Sequence, residues 1–265
     1  MMGITTLSLK GLKENDEKFS CITAYDATFA AVADSAGIDV LLVGDSLGMV
    51  LQGQDSTLPV SMADMTYHTQ CVKQGCTRAL VMADMPFMSL NTVEDTLRHA
   101  GALMKAGAHI VKLEGGDWLE EHIIALNDRG IPVCAHLGLT PQSVNKLGGY
   151  KVQGKGAEQA NNMINTALML EEAGADIILL ECVPTSLAEL ITENVKVPVI
   201  GIGAGNVTDG QVLVMHDLLG ISGGRKPKFV KNFMAGADSI QQAFEHYDQA
   251  VKSGEFPSSE FSFSG

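Results

Sequence analysis

The sequence lacks any cysteine pair spaced as CxxC, and its five cysteines (Cys21, Cys71, Cys76, Cys134 and Cys182) are an odd number. Several sit in or beside apolar segments, which argues for reduced core thiols over a zinc site, a redox dithiol or a disulfide framework. No stretch approaches the roughly 20 apolar residues a membrane helix needs, and residues 1–19 hold no apolar leader core. A cytoplasmic protein with no membrane partner is expected. Basic residues are in deficit, with 18 Lys and Arg against 31 Asp and Glu for a net charge of -13. Nucleic acid is therefore excluded as the expected partner, because phosphate binding rewards basic surfaces. Linkers, charge blocks and low-complexity runs are absent ahead of the last residues, so the 265 residues read as a single domain. The expectation is one barrel domain over 1–265, with a short N-terminal extension and a loosely packed, Ser- and Phe-rich tail from about 254.

What the chain does have is a repeat. Ala36-Gly37-Ile38-Asp39 followed by Val40-Leu41-Leu42-Val43-Gly44-Asp45, Ala106-Gly107-Ala108-His109 followed by Ile110-Val111-Lys112-Leu113-Glu114, and Ala173-Gly174-Ala175-Asp176 followed by Ile177-Ile178-Leu179-Leu180-Glu181 share one shape. Each reads as a helix end, a glycine cap and a short buried strand that finishes on or next to a carboxylate. A buried parallel strand has no structural need for an acid at its carboxyl end. The acids are being gathered in one place.

Strand candidates recur at 19–24, 40–43, 79–83, 110–113, 133–135, 177–180, 199–202 and 212–214. Helical periodicity fills 27–36, 61–74, 92–106, 118–129, 157–173 and 186–195, the connection around 206–210 is too short for a helix, and 230–252 closes the chain with one or two helices. Strands and helices alternating in this number predict a (β/α)8 TIM barrel rather than an open doubly wound sheet. In a barrel the carboxyl ends of the strands carry the active site. Those ends hold Tyr25 and Asp26, Asp45 and Ser46, Asp84, Lys112 and Glu114, His136, Glu181, the run Gly201-Ile202-Gly203-Ala204-Gly205, and His216 with Asp217. Loops 44–60 and 137–156 on that face are long enough to be lids or binding loops.

Asp45, Asp84 and Glu114 would repel one another at a common mouth, so a cation is expected there. The ligand types favour a hard ion, Mg2+ ahead of Mn2+, over zinc. Helix caps or lysine partners are the alternative reading of the same acids. Lys112 and Glu114 lie two apart on a strand and point to the same side, either to receive a substrate carboxylate or to pair with each other. His136 is placed to donate to a substrate oxygen, or is a structural histidine. Glu181 stands across the barrel, placed for proton abstraction or as a support for Lys112. A base opposite a Lewis acid predicts carbanion chemistry beside a carbonyl. The glycine run either cradles a phosphate or permits a tight turn and close approach of backbone.

Five motifs then bring in a resemblance: Val43-Gly44-Asp45-Ser46-Leu47-Gly48-Met49, Asp84-Met85-Pro86-Phe87, Val111-Lys112-Leu113-Glu114-Gly115-Gly116, His136-Leu137-Gly138-Leu139-Thr140-Pro141-Gln142 and the run 201–205. From about Ile22 to Phe233 the chain resembles the ketopantoate hydroxymethyltransferases. The resemblance implies a barrel of the phosphoenolpyruvate/pyruvate superfamily, one Mg2+ per subunit and a homo-oligomer, a decamer in typical bacterial members. It implies Asp45 and Asp84 as direct metal ligands and Glu114 as a ligand through water. Ser46 with Asp45, Asp84 and Lys112 would hold the 2-oxo acid, His136 would contact it, and Glu181 would accept its C3 proton. The implied reaction moves a hydroxymethyl group from 5,10-methylenetetrahydrofolate to 3-methyl-2-oxobutanoate through a Mg2+-stabilised enolate, giving 2-dehydropantoate for pantothenate and coenzyme A synthesis. The basic stretches 146–155 and 225–231 either receive the folate glutamate tail or are solvated loop lysines. A superfamily lyase working by retro-aldol cleavage, or a non-catalytic binder of a chelating metabolite, are the competing readings.

Overall fold

The computed structural model describes residues 3–223 and 226–264. Helix α1 (Thr6–Glu14) precedes strand β1 (Phe19–Thr23), and the chain then runs through α2 (Ala27–Ser35), β2 (Val40–Val43), α3 (Leu47–Val50), α4 (Met62–Gly75) and β3 (Leu80–Asp84). It continues with α5 (Val93–Ala106), β4 (Ile110–Glu114), α6 (Glu120–Asn127), β5 (Val133–Gly138), α7 (Val144–Leu147), α8 (Ala157–Glu172) and β6 (Ile177–Glu181). Helix α9 (Thr185–Asn194), β7 (Val199–Ile202), β8 (Gly210–Leu213), α10 (Met215–Leu218) and α11 (Ile240–Lys252) complete it. All neighbouring strands pair in parallel, in chain order, and β8 pairs back onto β1 to close the barrel. Among the described residues, no helix is long and apolar enough to cross a membrane.

The repeat folds as its sequence implies. Gly107 ends α5 at φ +116°, a left-handed turn that an L side chain resists, and a Cβ there would lie 2.5 Å from Lys73 Cγ. Gly37 and Gly174 take the same left-handed turn. Each cap passes the chain straight into an even-numbered strand, so the repeat spans two βα units and its acids rise from β2, β4 and β6.

Side chains alternate across the barrel wall. Phe19, Cys21, Val40, Leu42, Met82, Ile110, Cys134, Leu179, Ile200 and Val212 point inward and form one apolar cluster. Ile22, Leu41, Val81, Val111, Leu113, Ala135 and Leu180 point outward, under the helices. Carrying the inward series one step further toward the carboxyl ends lands on Asp84, Lys112, His136 and Glu181, and a second step on β4 lands on Glu114. The polar residues thus lie directly on top of an apolar plug.

Four strands run further than their apolar stretch. β3 includes Asp84, β4 Glu114, β5 reaches Gly138 and β6 Glu181, because the parallel ladder continues there: Asp84 registers with Lys112, Glu114 with His136, and Gly138 with Glu181. β8 begins earlier than expected, at Gly210, where the Phe19 ring fills the space a Cβ would need.

Both ends of the chain are more ordered than composition suggests. The N-terminal stretch forms α1, started by a capping box between Thr5 and Ser8, and its Leu9 is fully buried in the barrel's inner cluster. It stoppers the end of the barrel away from the mouth, with Ile4 N–H donating to Arg78 O and Lys13 paired with Asp209 at 2.8 Å. The tail is corrected from loose to packed. Phe256 is buried, its ring 5.3 Å from Phe233 and 5.8 Å from Tyr247, and Thr185 N–H donates to Phe263 O at 3.0 Å. Its phenylalanines supply the apolar contact that a count of serines hides.

Candidate active site

Strand register sets the site. Lys112, two residues before Glu114, sits beside Asp84 on the next strand, and Glu114 sits beside His136. Lys112 Nζ lies 3.1 Å from Asp84 Oδ1 and 3.5 Å from Glu114 Oε1. His136 Nδ1 is 3.2 Å from Glu114 Oε1, and its Nε2 is 3.3 Å from Glu181 Oε2. Asp45 joins from the turn after β2, where its N–H donates to Asp84 Oδ2 at 3.0 Å. Ser46 follows, sharing a 2.9 Å hydrogen bond with the buried Tyr25 hydroxyl. All seven expected residues, Asp45, Ser46, Asp84, Lys112, Glu114, His136 and Glu181, line one cavity of about 740 Å³ at the barrel mouth.

Three buried carboxylates around one lysine make an unbalanced cluster. Burial first, then the charges of Glu114 and Asp84, push the Asp45 carboxyl well above the usual carboxylate range. Burial also raises Asp84, against the opposing pull of Lys112 and the Asp45 N–H. Glu114 goes the other way. Burial would raise it, but Lys112 and His136 outweigh that and hold it at about 2. Burial and Lys112 disfavour a charged His136, yet Glu114 and Glu181 overcome both and raise it to about 9. Lys112 is likewise held protonated, since Asp84, Glu114 and Asp45 overcome the cost of its burial.

These donors fit a hard cation in chemistry, though not as a finished cage. Asp84 Oδ1 is buried and, despite the nearby ammonium, receives no well-aligned hydrogen bond. Such an oxygen keeps a lone pair to spare, in a cluster where three carboxylates outnumber the ammonium beside it. Among the described residues no group of three His, Cys, Asp or Glu side chains already stands in ion-gripping geometry. Glu114 explains why: Oε1 faces Lys112 and His136, while Oε2 accepts the Gln142 N–H at 3.1 Å.

Sequence reasoning missed Gln142. Its side-chain amide donates to Asp45 Oδ2 at 2.9 Å and to Met85 O at 3.0 Å while its backbone holds Glu114, so one residue ties two acids from different strands. Its only signal was its place in the motif after His136; nothing in the periodicity marks a loop glutamine. Both long loops frame the mouth, bridged where the Tyr150 hydroxyl donates to Met49 Sδ at 3.9 Å. Of the other strand-end residues, Ile202 and Asp217 also line the cavity, whereas Asp26 caps α2 and His216 packs against the Tyr25 ring with centroids 5.6 Å apart, both outside it. Of the basic stretches, Lys226 and Lys228 reach the rim, Lys146 and Lys155 do not, and Arg225 lies outside the described residues.

A closed (β/α)8 barrel that gathers buried acids, a lysine and a histidine at the carboxyl ends of its strands has them where enzymes of this fold carry their active sites. Solved structures share that fold. A phosphonopyruvate hydrolase crystallised with oxalate and Mg2+ matches with a TM-score of 0.64 at 14% identity, over 96% of this chain and 99% of that one. A 2,3-dimethylmalate lyase, described as a PEP mutase/isocitrate lyase superfamily member, matches with a TM-score of 0.60 at 19% identity, over 80% and 81%. The profile of the ketopantoate hydroxymethyltransferases matches residues 3–259, and the chain belongs to that family of transferases. It is 63% identical over 262 residues to 3-methyl-2-oxobutanoate hydroxymethyltransferase 2 of Hahella chejuensis and 62% identical to the 3-methyl-2-oxobutanoate hydroxymethyltransferase of Marinobacter nauticus, in each case over 99% of both chains.

Proposed function

We propose that this chain transfers a hydroxymethyl group from 5,10-methylenetetrahydrofolate to 3-methyl-2-oxobutanoate, giving 2-dehydropantoate for pantothenate synthesis. The names of its close relatives and the family match support the acceptor. The observation that carries the chemistry is the division of labour among the carboxylates. Asp45, Asp84 and Glu114 cluster round Lys112, whereas Glu181 stands apart at the cavity edge, beside His136.

Asp45 and Asp84 are the residues that would hold Mg2+, with Glu114, engaged at both oxygens, one step further out. The ion would supply charge neutralisation and polarise the keto oxygen of the bound acid. Lys112 offers its ammonium to the substrate carboxylate, and Ser46 its hydroxyl. Glu181 takes the C3 proton. His136, charged and adjacent, steadies the Glu181 carboxylate and donates toward substrate oxygen. Water adds to the methylene carbon of the donor and both of its C–N bonds break, with N5 and N10 each taking a proton, so that tetrahydrofolate leaves and formaldehyde stays; the C3 carbanion bonds to that carbon, and the new alkoxide takes the proton held by Glu181. Lys226 and Lys228 at the rim suit the anionic tail of that donor.

Proton exchange tests this without the donor. Incubated with Mg2+ in D2O, the protein is expected to exchange the C3 proton of 3-methyl-2-oxobutanoate, read by proton NMR, and to stop when a chelator is added. Absence of exchange by the wild-type chain would overturn the reading. A retro-aldol lyase of the same fold would leave this branched acid untouched.

A further inference from the structure

The cavity is far larger than a five-carbon acid requires. Its 740 Å³ falls in the range of about 300–1,000 Å³ typical of sites for drug-sized ligands, and the acidic floor uses only the inner part. The outer part has a different lining: Tyr150, Phe229 and Phe263, with Lys226 and Lys228 beside them. Phe263 comes from the C-terminal tail. It is held from two sides, its carbonyl accepting from Thr185 N–H at the start of α9, and the preceding Ser262 O accepting from Lys228 Nζ, an ammonium 5.4 Å from the Phe263 ring centroid.

The glycine run explains how both rings reach this place. A Cβ on Gly203 would lie 2.9 Å from Phe229 Cδ1, 3.0 Å from Phe263 Cε2 and 3.4 Å from Cys182 Sγ. The two phenyl rings therefore rest on bare backbone at the end of β7, beside the residue that follows Glu181. This is close backbone approach, the second of the two roles open to a glycine run. We infer that Phe229 and Phe263 form the wall against which the flat ring of the one-carbon donor lies, so that the C-terminal tail completes the second-substrate half of the site. The inference rests on the folate reading above and deepens it. A flat ring with an anionic tail matches aromatic faces flanked by lysines.

The test uses the full chain carrying Phe263→Ala, with Phe263→Tyr as the variant that keeps a ring. Three quantities are read: donor-free C3 exchange with Mg2+, the KM for 5,10-methylenetetrahydrofolate, and tetrahydrofolate binding by calorimetry. For Phe263→Ala, the donor KM and the tetrahydrofolate Kd are expected to rise about tenfold, the scale of one lost ring-stacking contact, with exchange changing much less. Phe263→Tyr should restore most of the affinity. An unchanged donor KM, or exchange falling in step with transfer, overturns the wall. Failure of wild-type exchange would instead overturn the enzyme reading, and tetrahydrofolate binding would still report on Phe263.

Discussion

His136 Nε2 faces Glu181 Oε2 at 3.3 Å across the β5–β6 pair, while the other ring nitrogen faces Glu114. One imidazole thus links the proposed base to the acid cluster, and its pKa, raised to about 9, keeps it cationic at neutral pH. Replacing Glu181 by Gln preserves shape and removes the proton acceptor. C3 exchange in D2O is expected to fall by about 10²- to 10⁴-fold, the usual worth of a positioned base. Near-UV circular dichroism should match the wild type, since the side chain is partly exposed and lies outside the core. Full exchange by the variant would remove Glu181 from the mechanism.

Gly138 controls where that carboxylate stands. It takes φ +93° at the end of β5, and a Cβ there would come within 2.3 Å of Glu181 O. Gly138→Ala must therefore push β6 outward or twist β5. A stability loss of about 1–3 kcal/mol is expected in urea titration, together with an exchange rate reduced more than tenfold as the base moves off its line. A variant with wild-type exchange would show that the position of Glu181 is not set by this contact.

Lys112 is the protein's own countercharge for Asp84 and Glu114. Substituting Met leaves buried carboxylates without it, and breaking such a cluster costs about 3–5 kcal/mol. Scanning calorimetry should show a lowered melting temperature that Mg2+ partly restores, because a divalent ion replaces the missing positive charge. Insensitivity of the variant to Mg2+ would argue against a cation among these acids.

The barrel was legible because its strands are short apolar runs capped by glycines. The repeat at 36–45, 106–114 and 173–181 showed where the acids emerge. Less legible were features whose signal is contact rather than pattern. The strands outlast their apolar residues at Asp84, Glu114 and Glu181, because ladder pairing continues into the polar mouth. Gln142 gave no periodic signal, and Phe263 lay in a stretch whose composition suggests looseness. Leu9 is a further case: of the three leucines in α1 it alone is fully buried, and its partners lie on strands remote in sequence.

That stopper is separable from the chemistry. Leu9 is fully buried among the inner residues at the closed end of the barrel, and Leu9→Ala should leave a cavity costing about 2–5 kcal/mol. Urea midpoints should fall accordingly while the exchange rate at 25 °C stays near the wild-type value. A lost exchange rate in a variant that is still folded would mean that α1 influences the mouth.

Asp34 provides a pH-dependent test of the scaffold. Its carboxylate accepts from Thr77 N–H and Oγ–H, and from Arg78 and Ala79 N–H, fastening the turn between α4 and β3 to α2. Burial would raise its pKa, but these donors outweigh burial and lower it. A carboxyl with a depressed folded pKa contributes stability above its unfolded value of about 3.9, and that contribution is lost as pH falls through the folded value. Asp34→Asn keeps the shape but loses the charge and one acceptor. It is expected to cost about 1–3 kcal/mol at pH 7 in urea titrations. The gap from wild type should narrow as the pH is lowered below the unfolded pKa, because protonation then weakens the same hydrogen bonds in the wild-type chain. A gap that stayed constant down to acid pH would mean that packing, not the charged acceptor, fastens this turn.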